Sequence, residues 1–309
     1  MTIRRDLCRH GADNMEFIYN EVDITGQTSI LRVELEQYLS GHIDTITAVF
    51  DDSAGDWSKW RPAVGDRIQA NEGYAKSGTM YIHSLEPRSN AMSLKGTSLK
   101  YLKTGHTKRW NNVSFLQLLK IRAQELGLTP EYYGITDQTY DYVEQDGGDL
   151  AFLDELCRLE GCGFMINNGV IRFISLDYLE SMDVSDYTLD AYNNRNIDLP
   201  YYTGAVVTDG TIEGKAGNDR GERVRLTTKQ KLQSISEANR FAENVLKYAN
   251  TSRKTGVVYM DQLLSEFVPG SKVYLNCDYW QKKPVIITRI RHDLYRMKSK
   301  VFFRLAKEN

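Results

Sequence analysis

A spacing that occurs twice, once near each end of the chain, constrains the fold more than any other feature of the sequence. Gly65 lies shortly after a proline and seventeen residues before Ile82, and Gly270 lies directly after a proline and seventeen residues before Ile287. In both places a strand-like apolar segment ends near the isoleucine and a second one follows. A turn glycine before a strand is common, so coincidence is one explanation. The alternative is a duplicated β unit with other residues inserted between the copies.

The first third of the chain has the alternation of an antiparallel sheet. Between residues 44 and 50, Ile46, Ala48 and Phe50 alternate with two threonines and a valine. This period of two is typical of a sheet with one solvated face. Similar segments lie at residues 16–35, 64–68, 79–84 and 91–96. They predict a small β barrel over residues 1–108.

The middle of the chain changes to helical periodicity. Ser114 and Gln117 have the spacing of a capping box, and apolar residues then recur at helical intervals. A second helix is expected to begin with Asp149 as its N-cap. After this helix, the Asn-Gly pair at Asn168 predicts a two-residue hairpin turn. Two helices and a hairpin indicate an α+β insert over residues 109–190.

The last part of the chain returns to strands around one strong helix. Ser234 and Glu237 have capping-box spacing, and the apolar residues that follow cover one face, so the helix is expected to lie against a sheet. We expect residues 193–202 to be a linker and residues 213–221 to be a loop or hairpin tip. Strand-like segments lie at 205–212, 222–227, 255–260, 271–275, 284–295 and 298–305. They predict a second β barrel with a packed helix over residues 191–309.

These segments together predict an α+β protein that is mainly β, with an α+β domain inserted between two tandem barrels. Two similar barrels in one chain have a consequence for assembly. Three such chains can close a ring with approximate sixfold symmetry.

The charge balance argues against a strongly charged partner. The chain has 39 Lys plus Arg against 41 Asp plus Glu, a formal net charge of −2. Binding to nucleic acid or to an anionic membrane would therefore need a local patch. No apolar stretch has the length of a signal-peptide core or of a membrane span. We expect a cytosolic protein that neither inserts into a membrane nor binds specific nucleic acid.

The residue types that often carry catalysis lack catalytic spacing. The sequence has no Gly-rich phosphate loop, no His-Glu-x-x-His helix and no Gly-x-Ser-x-Gly elbow. Two acidic pairs, Asp51-Asp52 and Asp154-Glu155, have the chemistry of glycoside hydrolysis, but adjacent surface carboxylates of this kind are usually solvated charge. The histidines show no ligand spacing; they are His10, His42, His83, His106 and His292.

The cysteines are better explained as buried reduced thiols than as metal ligands. Cys157 and Cys162 are close in sequence but do not form a Cys-x-x-Cys pair, and Cys8 and Cys277 are distant from them. We therefore expect no catalytic residue, no cofactor and no metal.

Aromatic pairs are candidate binding features. Tyr132-Tyr133, Tyr201-Tyr202 and Tyr279-Trp280 have the chemistry to stack on sugars or bases. Tyrosine and tryptophan are equally favoured in protein interfaces, and we prefer that interpretation.

A series of cations near the C-terminus alternates with apolar residues and is expected to share one face of a hairpin. One explanation is that charge keeps an edge strand soluble. The other is a polar channel wall or a contact with an acidic partner. The cations are Arg289, Arg291, Arg296, Lys298, Lys300 and Arg304.

The order of three groups of segments resembles a known family. The first group joins residues 24–52 to the turn at 62–68, the second runs from 152–156 into 161–164, and the third is the helix from Ser236 to Leu246 ahead of Pro269-Gly270. This order resembles that of phage late control protein D and of baseplate hub proteins in contractile tails and related injection systems.

The resemblance implies two tandem tail-tube-like barrels and a homotrimeric, pseudo-sixfold ring without catalytic residues. The ring would bind a tail tube on one side and a trimeric spike on the other, beside other baseplate or tape-measure proteins. Assembly would take place in the bacterial host cytoplasm and end in the virion tail baseplate or an injection particle.

Two other functions remain open from the sequence. A phage-associated cell-wall hydrolase would turn over peptidoglycan and depend on a carboxylate. A carbohydrate-binding module would retain sugar without assembling.

Overall fold

The computed structural model describes residues 15–100, 105–191 and 193–307. The chain is α+β and mainly β, as the sequence predicts. His10 and Cys8 lie outside the described residues, and so does the side chain of His106.

The N-terminal part consists of short and medium strands with one turn of 3-10 helix, Thr25–Gln27, and one short helix, α1, Asp56–Trp60. The strands are β1 Glu16–Tyr19, β2 Val22–Asp23, β3 Ser29–Tyr38, β4 Thr45–Asp51, β5 Arg67–Glu72, β6 Ala75–Lys76, β7 Met80–Arg88 and β8 Ala91–Thr97.

The middle part alternates strands and helices. Its elements are β9 Gly105–Ser114, α2 Phe115–Glu125, β10 Thr129–Tyr133, β11 Thr139–Gly148, α3 Asp149–Leu159, β12 Cys162–Asn167, β13 Val170–Ser175 and α4 Leu176–Ser181.

The C-terminal part contains nine described strands and the longest described helix, α5, Ile235–Asn250. The strands are β14 Thr188–Asp190, β15 Asn194–Asp198, β16 Gly204–Thr208, β17 Glu213–Gly217, β18 Arg223–Thr227, β19 Lys254–Met260, β20 Lys272–Asn276, β21 Lys283–Asp293 and β22 Lys298–Leu305.

One sheet of fourteen strands joins the two ends of the chain. Its order is β15-β19-β22-β21-β3-β4-β8-β7-β5-β1-β2, with β6 on β5, and with β20 between β21 and β14. No pairing between described strands joins β2 to β15, so this sheet is not a closed barrel. The two separate barrels expected from the sequence are therefore not seen as closed units, because β3 and β21 pair and make the two sets of strands continuous.

The large sheet curls around two separate apolar cores. Ile46, Ile68 and Leu94 belong to the core enclosed by the N-terminal strands, together with Phe17 and Trp57. A second core lies among the C-terminal strands; it contains Val258, Val273, Val285, Val301 and Phe303. The side chains that alternate with these residues therefore lie on the other side of the sheet.

The twofold spacing in the sequence corresponds to a repeated hydrogen-bond pattern. The Gly65 N–H donates to the Ile82 carbonyl at 2.7 Å, and the Gly270 N–H donates to the Ile287 carbonyl at 2.8 Å. Both glycines have φ of 96°. The Ile82 and Ile287 N–H groups each donate back to the residue after the glycine, at 2.8 and 2.9 Å. The duplication is therefore a feature of the backbone, and coincidence does not explain it.

The strand order repeats in the same way. The order β3-β4-β8-β7-β5 in the N-terminal part has its counterpart in β15-β19-β22-β21-β20. Arg67 lies opposite Tyr81, as Lys272 lies opposite Ile286. The strands β7 and β21 also share an irregularity, between Ile82 and Ser84 in one and between Ile287 and Arg289 in the other.

The middle part has the predicted helices and hairpin. The Ser114 side chain accepts a hydrogen bond from the Gln117 N–H, as expected of the N-cap of α2. Asn168 and the glycine after it both have positive φ in the turn between β12 and β13. The N-cap of α3 is Gly148 instead of the expected Asp149. The Asp149 carboxylate points inward and pairs with buried Arg122 at 2.6 Å, which explains the difference.

Two C-terminal segments differ from their expected roles. Residues 193–202 contain strand β15, and residues 213–221 contain strand β17, which pairs with β16. Neither strand has a strong apolar alternation of its own, so its partner strand determines its conformation.

Helix α5 lies against a sheet, as predicted, but this sheet is the small one formed by β17, β16 and β18. Ala238, Phe241 and Val245 belong to the same apolar core as Phe115 of α2 and Leu153 of α3. The helix and its small sheet therefore share a core with the middle part of the chain, and not with the C-terminal strands of the large sheet.

None of the helices in the described part of the chain combines the length and the apolar composition that a membrane crossing requires.

Because the turns at Gly65 and Gly270 are equivalent, the same substitution in each should lower stability by the same amount. Gly65→Ala and Gly270→Ala should each lower the free energy of unfolding by about 1–2 kcal/mol, because an L-residue is strained at this φ. At Gly26 an added Cβ would meet no heavy atom within 4 Å and φ is not positive, so Gly26→Ala is the matched control and should change stability little. Chemical denaturation measures all three. A cost at one glycine only would contradict the equivalence of the two turns.

Candidate functional site

The side of the large sheet that faces away from the two cores carries polar side chains on eight neighbouring strands, from Arg195 on β15 to Ser84 on β7. Strand registers place them in two rows. The first row is Tyr259, Lys300, Arg291, Glu36 and Thr45. The second row is Asp293, Glu34, Thr47, Lys95 and Ser84. We call the surface formed by these two rows and their neighbours on the same side the polar face.

Glu36 is the centre of the polar face. Its carboxylate accepts hydrogen bonds from Arg289 Nε at 2.7 Å, from Arg291 Nε at 2.9 Å and from the Tyr38 hydroxyl at 2.7 Å. Burial disfavours the charged carboxylate, but the hydrogen bonds from Tyr38, Arg291 and Arg289 outweigh it and hold the pKa of Glu36 below its usual value. The ionised carboxylate therefore ties β21 to β3.

Tyr38 and the arginines form a compact group around that carboxylate. The Arg289 guanidinium lies 5.1 Å from the centre of the Tyr38 ring and 4.4 Å from that of Phe302. Burial and the neighbouring Glu36 carboxylate raise the pKa of the Tyr38 hydroxyl to about 12. At neutral pH the Tyr38 hydroxyl is thus a donor, which is the role that it has toward Glu36.

The C-terminal cations lie in three different environments. Arg289, Arg291 and Lys300 share the polar face, as expected of one face of a hairpin. Arg304 is buried and pairs with Glu180 of α4. The other two lie at the turn between β21 and β22; Arg296 approaches Asp293 at 3.9 Å and Lys298 pairs with Asp261 at 2.7 Å.

The aromatic pairs divide between packing and exposure. Tyr132 stacks on Phe173, Tyr133 lies against Tyr178, and Trp280 is buried in the C-terminal core. Tyr201 and Tyr279 remain 47% and 60% exposed. Tyr132 is also 37% exposed, and Tyr202 lies under the Arg253 guanidinium, so Tyr201 and Tyr279 are the most exposed members of the pairs.

The acidic pairs have local structural roles. Asp51 accepts a hydrogen bond from the Ser53 N–H at 2.9 Å, and Asp52 accepts one from the Trp57 N–H in α1 at 2.9 Å. In the second pair, Asp154 forms an ion pair with Arg158 in the same helix, α3. Glu155 accepts a hydrogen bond from the Thr228 hydroxyl, outside that helix. Neither pair faces another carboxylate across a cleft in these contacts.

The described cysteines are buried and free; they are Cys157, Cys162 and Cys277. Burial raises the pKa of the Cys157 thiol, so it stays protonated. The described residues contain no group of three or more His, Cys, Asp and Glu that could hold a metal ion. Of the described histidines, His42 lies against Tyr38 and His292 is buried.

The role of Glu36 and the strand β15 were not predicted from the sequence. Glu36 has its role through partners that are about 250 residues away, so no local pattern indicates it. A weak signal existed near β15, because Ile197 and Leu199 are apolar residues two positions apart in a polar segment.

Solved structures of phage tail proteins have the same fold. The 43 kDa tail protein of prophage MuSo2 from Shewanella oneidensis matches with a TM-score of 0.73 and 10% identity, over 95% of this chain and 98% of that one. The tail protein from Neisseria meningitidis MC58 matches with a TM-score of 0.71 and 10% identity, over 94% and 96% of the two chains.

A type VI secretion component shares the fold more distantly. The Escherichia coli c3393 protein, described as structurally similar to the T4 tail proteins gp27 and gp5, matches with a TM-score of 0.57 and 16% identity, over 95% of this chain and 77% of that one. No protein-family model matches the sequence, and no curated protein matches it significantly. The resemblance to tail and baseplate proteins is thus confirmed for the fold.

Removal of the Glu36 charge should weaken the connection between β3 and β21. Glu36→Gln is expected to lower the free energy of unfolding by about 1–2 kcal/mol at pH 7, because two partly exposed ion pairs are lost. The difference should disappear as the pH falls through the lowered pKa of Glu36, where the wild-type carboxyl is also neutral. Glu34→Gln, which removes the more exposed Arg32 pair, is the control and should cost less than about 0.5 kcal/mol. Equal costs at pH 7 would contradict the central role of Glu36.

Two buried titratable groups lie beside the pairing of β3 with β21, and they have opposite effects on how stability depends on pH. Burial lowers the pKa of His292, on the core side of β21, to about 4. Burial raises the pKa of Asp44, at the start of β4, to about 6, although Asn167 and the Tyr38 N–H donate to its carboxylate.

The two groups predict opposite pH dependences. His292 is neutral in the fold and gains a proton on unfolding, so its contribution to stability decreases as the pH falls from about 6.5 to 4. The Asp44 contribution decreases as the pH rises from 3.8 to about 6, because the unfolded chain loses this proton in that range while the buried carboxyl keeps it. Relative to wild type, His292→Gln should lose stability as the pH rises from 4 to 7, and Asp44→Asn should gain it, each by about 2–3 kcal/mol. Denaturant titrations at several pH values measure these slopes, and slopes of the same sign would refute the assignment.

Proposed function

We propose that the chain is a structural, non-catalytic hub protein of a contractile phage tail baseplate or of a related injection system. Three copies form a ring, and each copy contributes two equivalent sets of strands. A tail tube binds on one side of the ring, and a trimeric spike binds on the other. Other baseplate or tape-measure proteins contact its outside. The protein is assembled in the bacterial host cytoplasm and ends in the tail baseplate.

The observation that carries this proposal is the duplication within the large sheet. Gly65 and Gly270 make equivalent hydrogen bonds, and the strands around them follow the same order. From this we infer that one chain contains two copies of one structural unit. A chain with two copies matches a partner of sixfold symmetry when three chains form a ring. The same ring presents three identical faces to a threefold partner. This double symmetry is what a connection between a tube and a trimeric spike requires.

The tail proteins of the same fold support the assignment to a tail. The c3393 protein, a type VI secretion component, supports the extension to related injection systems. These structural similarities support the assignment to a tail or injection system. The duplication supports the assignment to the hub between tube and spike.

The polar face is the proposed wall of the central channel. Several of its charged side chains are paired with one another, as Glu36 is with Arg289 and as Lys95 is with Glu86, so these charges need no protein partner. This extends the channel-wall interpretation of Arg289 and Arg291 to their acidic partners.

The proposed division of the chain follows the sequence analysis, with one addition. The first tube-like barrel unit lies in residues 1–108, the α+β insert in 109–190 and the second tube-like barrel unit in 191–309. The segment from β16 to α5 packs on the insert, so it extends the insert outside the ring and leaves the C-terminal strands free for assembly.

Mass in solution tests the proposed ring. Multi-angle light scattering during size-exclusion chromatography should give about 106 kDa, three times the chain mass of 35.4 kDa. The fraction of trimer should increase with concentration, because the ring forms by mass action. A mass of 35.4 kDa at every concentration up to the solubility limit would contradict a ring built from this chain alone.

A further inference from the structure

The connection between the two repeats inside one chain has counterparts at the outer edges of the same sheet, where the described residues supply no pairing strand. Within the chain, β3 of the first repeat pairs with β21 of the second, from Tyr38 opposite Arg289 to Glu34 opposite Asp293. Hydrogen bonds from Leu39 to Thr288 and from Leu294 to Val33, both at 2.9 Å, extend this ladder. Strand β3 of the first repeat thus covers the edge of the sheet in the second repeat.

The repeat identifies the equivalent of each strand. Val33 of β3 lies opposite Ala48 of β4, which lies opposite Leu94 of β8. In the second repeat, Asn194 of β15 lies opposite Val258 of β19, which lies opposite Val301 of β22. Strand β15 is therefore the equivalent of β3. The shared turn and irregularity already make β7 the equivalent of β21.

Both equivalents have an open edge. Strand β15 ends the large sheet and pairs only with β19 among the described strands. Strand β7 pairs with β5 only through Tyr81 and Met80, so residues 84–88 have β8 on one side and no described strand on the other. In the second repeat, that position beside β21 is filled by β3.

We infer that β15 of one chain pairs antiparallel with residues 84–88 of β7 in a second copy of the chain. The in-chain register transfers directly, so Leu199 lies opposite Ser84, Ile197 opposite Glu86 and Arg195 opposite Arg88. This inference rests on the proposed ring and identifies the surfaces that close it. Each chain donates β15 to one neighbour and receives β15 from the other, which is a head-to-tail contact that closes after three copies.

The side chains of β15 are consistent with a covered edge. Ile197 in β15 is 53% exposed and Leu199 just after β15 is 43% exposed, although both are branched apolar residues. Pairing with β7 places the aliphatic parts of Glu86 and its partner Lys95 beside them. Arg195 then lies diagonal to Glu86, within the reach of long side chains on neighbouring strands.

Two prolines make this ladder weaker than its counterpart. Pro87 and Pro200 carry no N–H group, and their in-chain equivalents are His292 and Leu39. The ladder between chains thus lacks two donors that the ladder within the chain has. Prolines on an open edge also hinder pairing with unrelated strands. The contact between chains should therefore be reversible, whereas the β3–β21 contact within the chain is permanent.

A disulfide tests the proposed register. Residues opposite each other at a non-hydrogen-bonded position of an antiparallel pair have Cα atoms about 4.5 Å apart, within the range of a disulfide. Ile197 and Glu86 are such a pair, because the N–H groups of β21 that point toward β3 belong to the alternate residues, such as Leu294. Within one chain the two residues are seven strand spacings apart, roughly 34 Å along the sheet, so they cannot bridge.

The test protein is the full chain with Glu86→Cys and Ile197→Cys in a Cys8→Ser background. The remaining cysteines are buried. Mild oxidation should convert most of the chains to a covalent species of about 106 kDa on a non-reducing gel, three times 35.4 kDa. The matched control pairs Glu86→Cys with Thr211→Cys, an exposed residue outside the large sheet, and should remain mostly monomeric on the gel.

The outcomes separate this inference from the proposed function. A trimer by light scattering that does not cross-link at 86 and 197 would overturn the β15–β7 contact and leave the ring intact. A monomer by light scattering that does not cross-link would overturn both. Equal cross-linking in the control would show random collision and would also count against the contact.

Discussion

The antiparallel pairing of β3 with β21 is the interaction on which the rest of the structure depends. It joins residues that are about 250 positions apart, and it turns two sets of strands into one sheet with one polar face. Glu36 reinforces the pairing, because its carboxylate is shared by Arg289 and Arg291 across the two strands. Without this connection the chain would be two small curled sheets linked by an α+β segment, and no common surface would run from β15 to β7.

Duplication makes that interaction informative about assembly. A sheet edge is a template for pairing, and proteins normally cover, shorten or charge such edges. Here one repeat covers the edge of the other within the chain, while none of the described strands covers the corresponding edge of the first repeat. An unsatisfied edge in a repeated unit is explained simply when another copy of the chain supplies the missing strand.

The sequence predicted the local parts of this fold well. Helix α5 was predictable because its cap is local: Ser234 accepts from the Glu237 N–H at 3.1 Å, and the Glu237 carboxylate accepts from the Gln233 N–H at 2.7 Å. The turn at Gly65 and Gly270 was predictable as a spacing. Strand β15 was interpreted as a linker, because its conformation is set by pairing with β19 and not by its own residues. The packing of α5 on the middle part and the Glu36 cluster were not predictable, since both depend on contacts between distant segments.

Electron cryomicroscopy of the assembled protein tests the central claim most directly, because it shows the symmetry and the orientation of the sheet together. The account predicts a closed threefold ring with pseudo-sixfold features, in which the polar face of every chain, with Glu36 and Arg291, lines a central channel. A ring whose channel is lined by another surface, or an assembly in which the two repeats of a chain occupy unrelated positions, would contradict it.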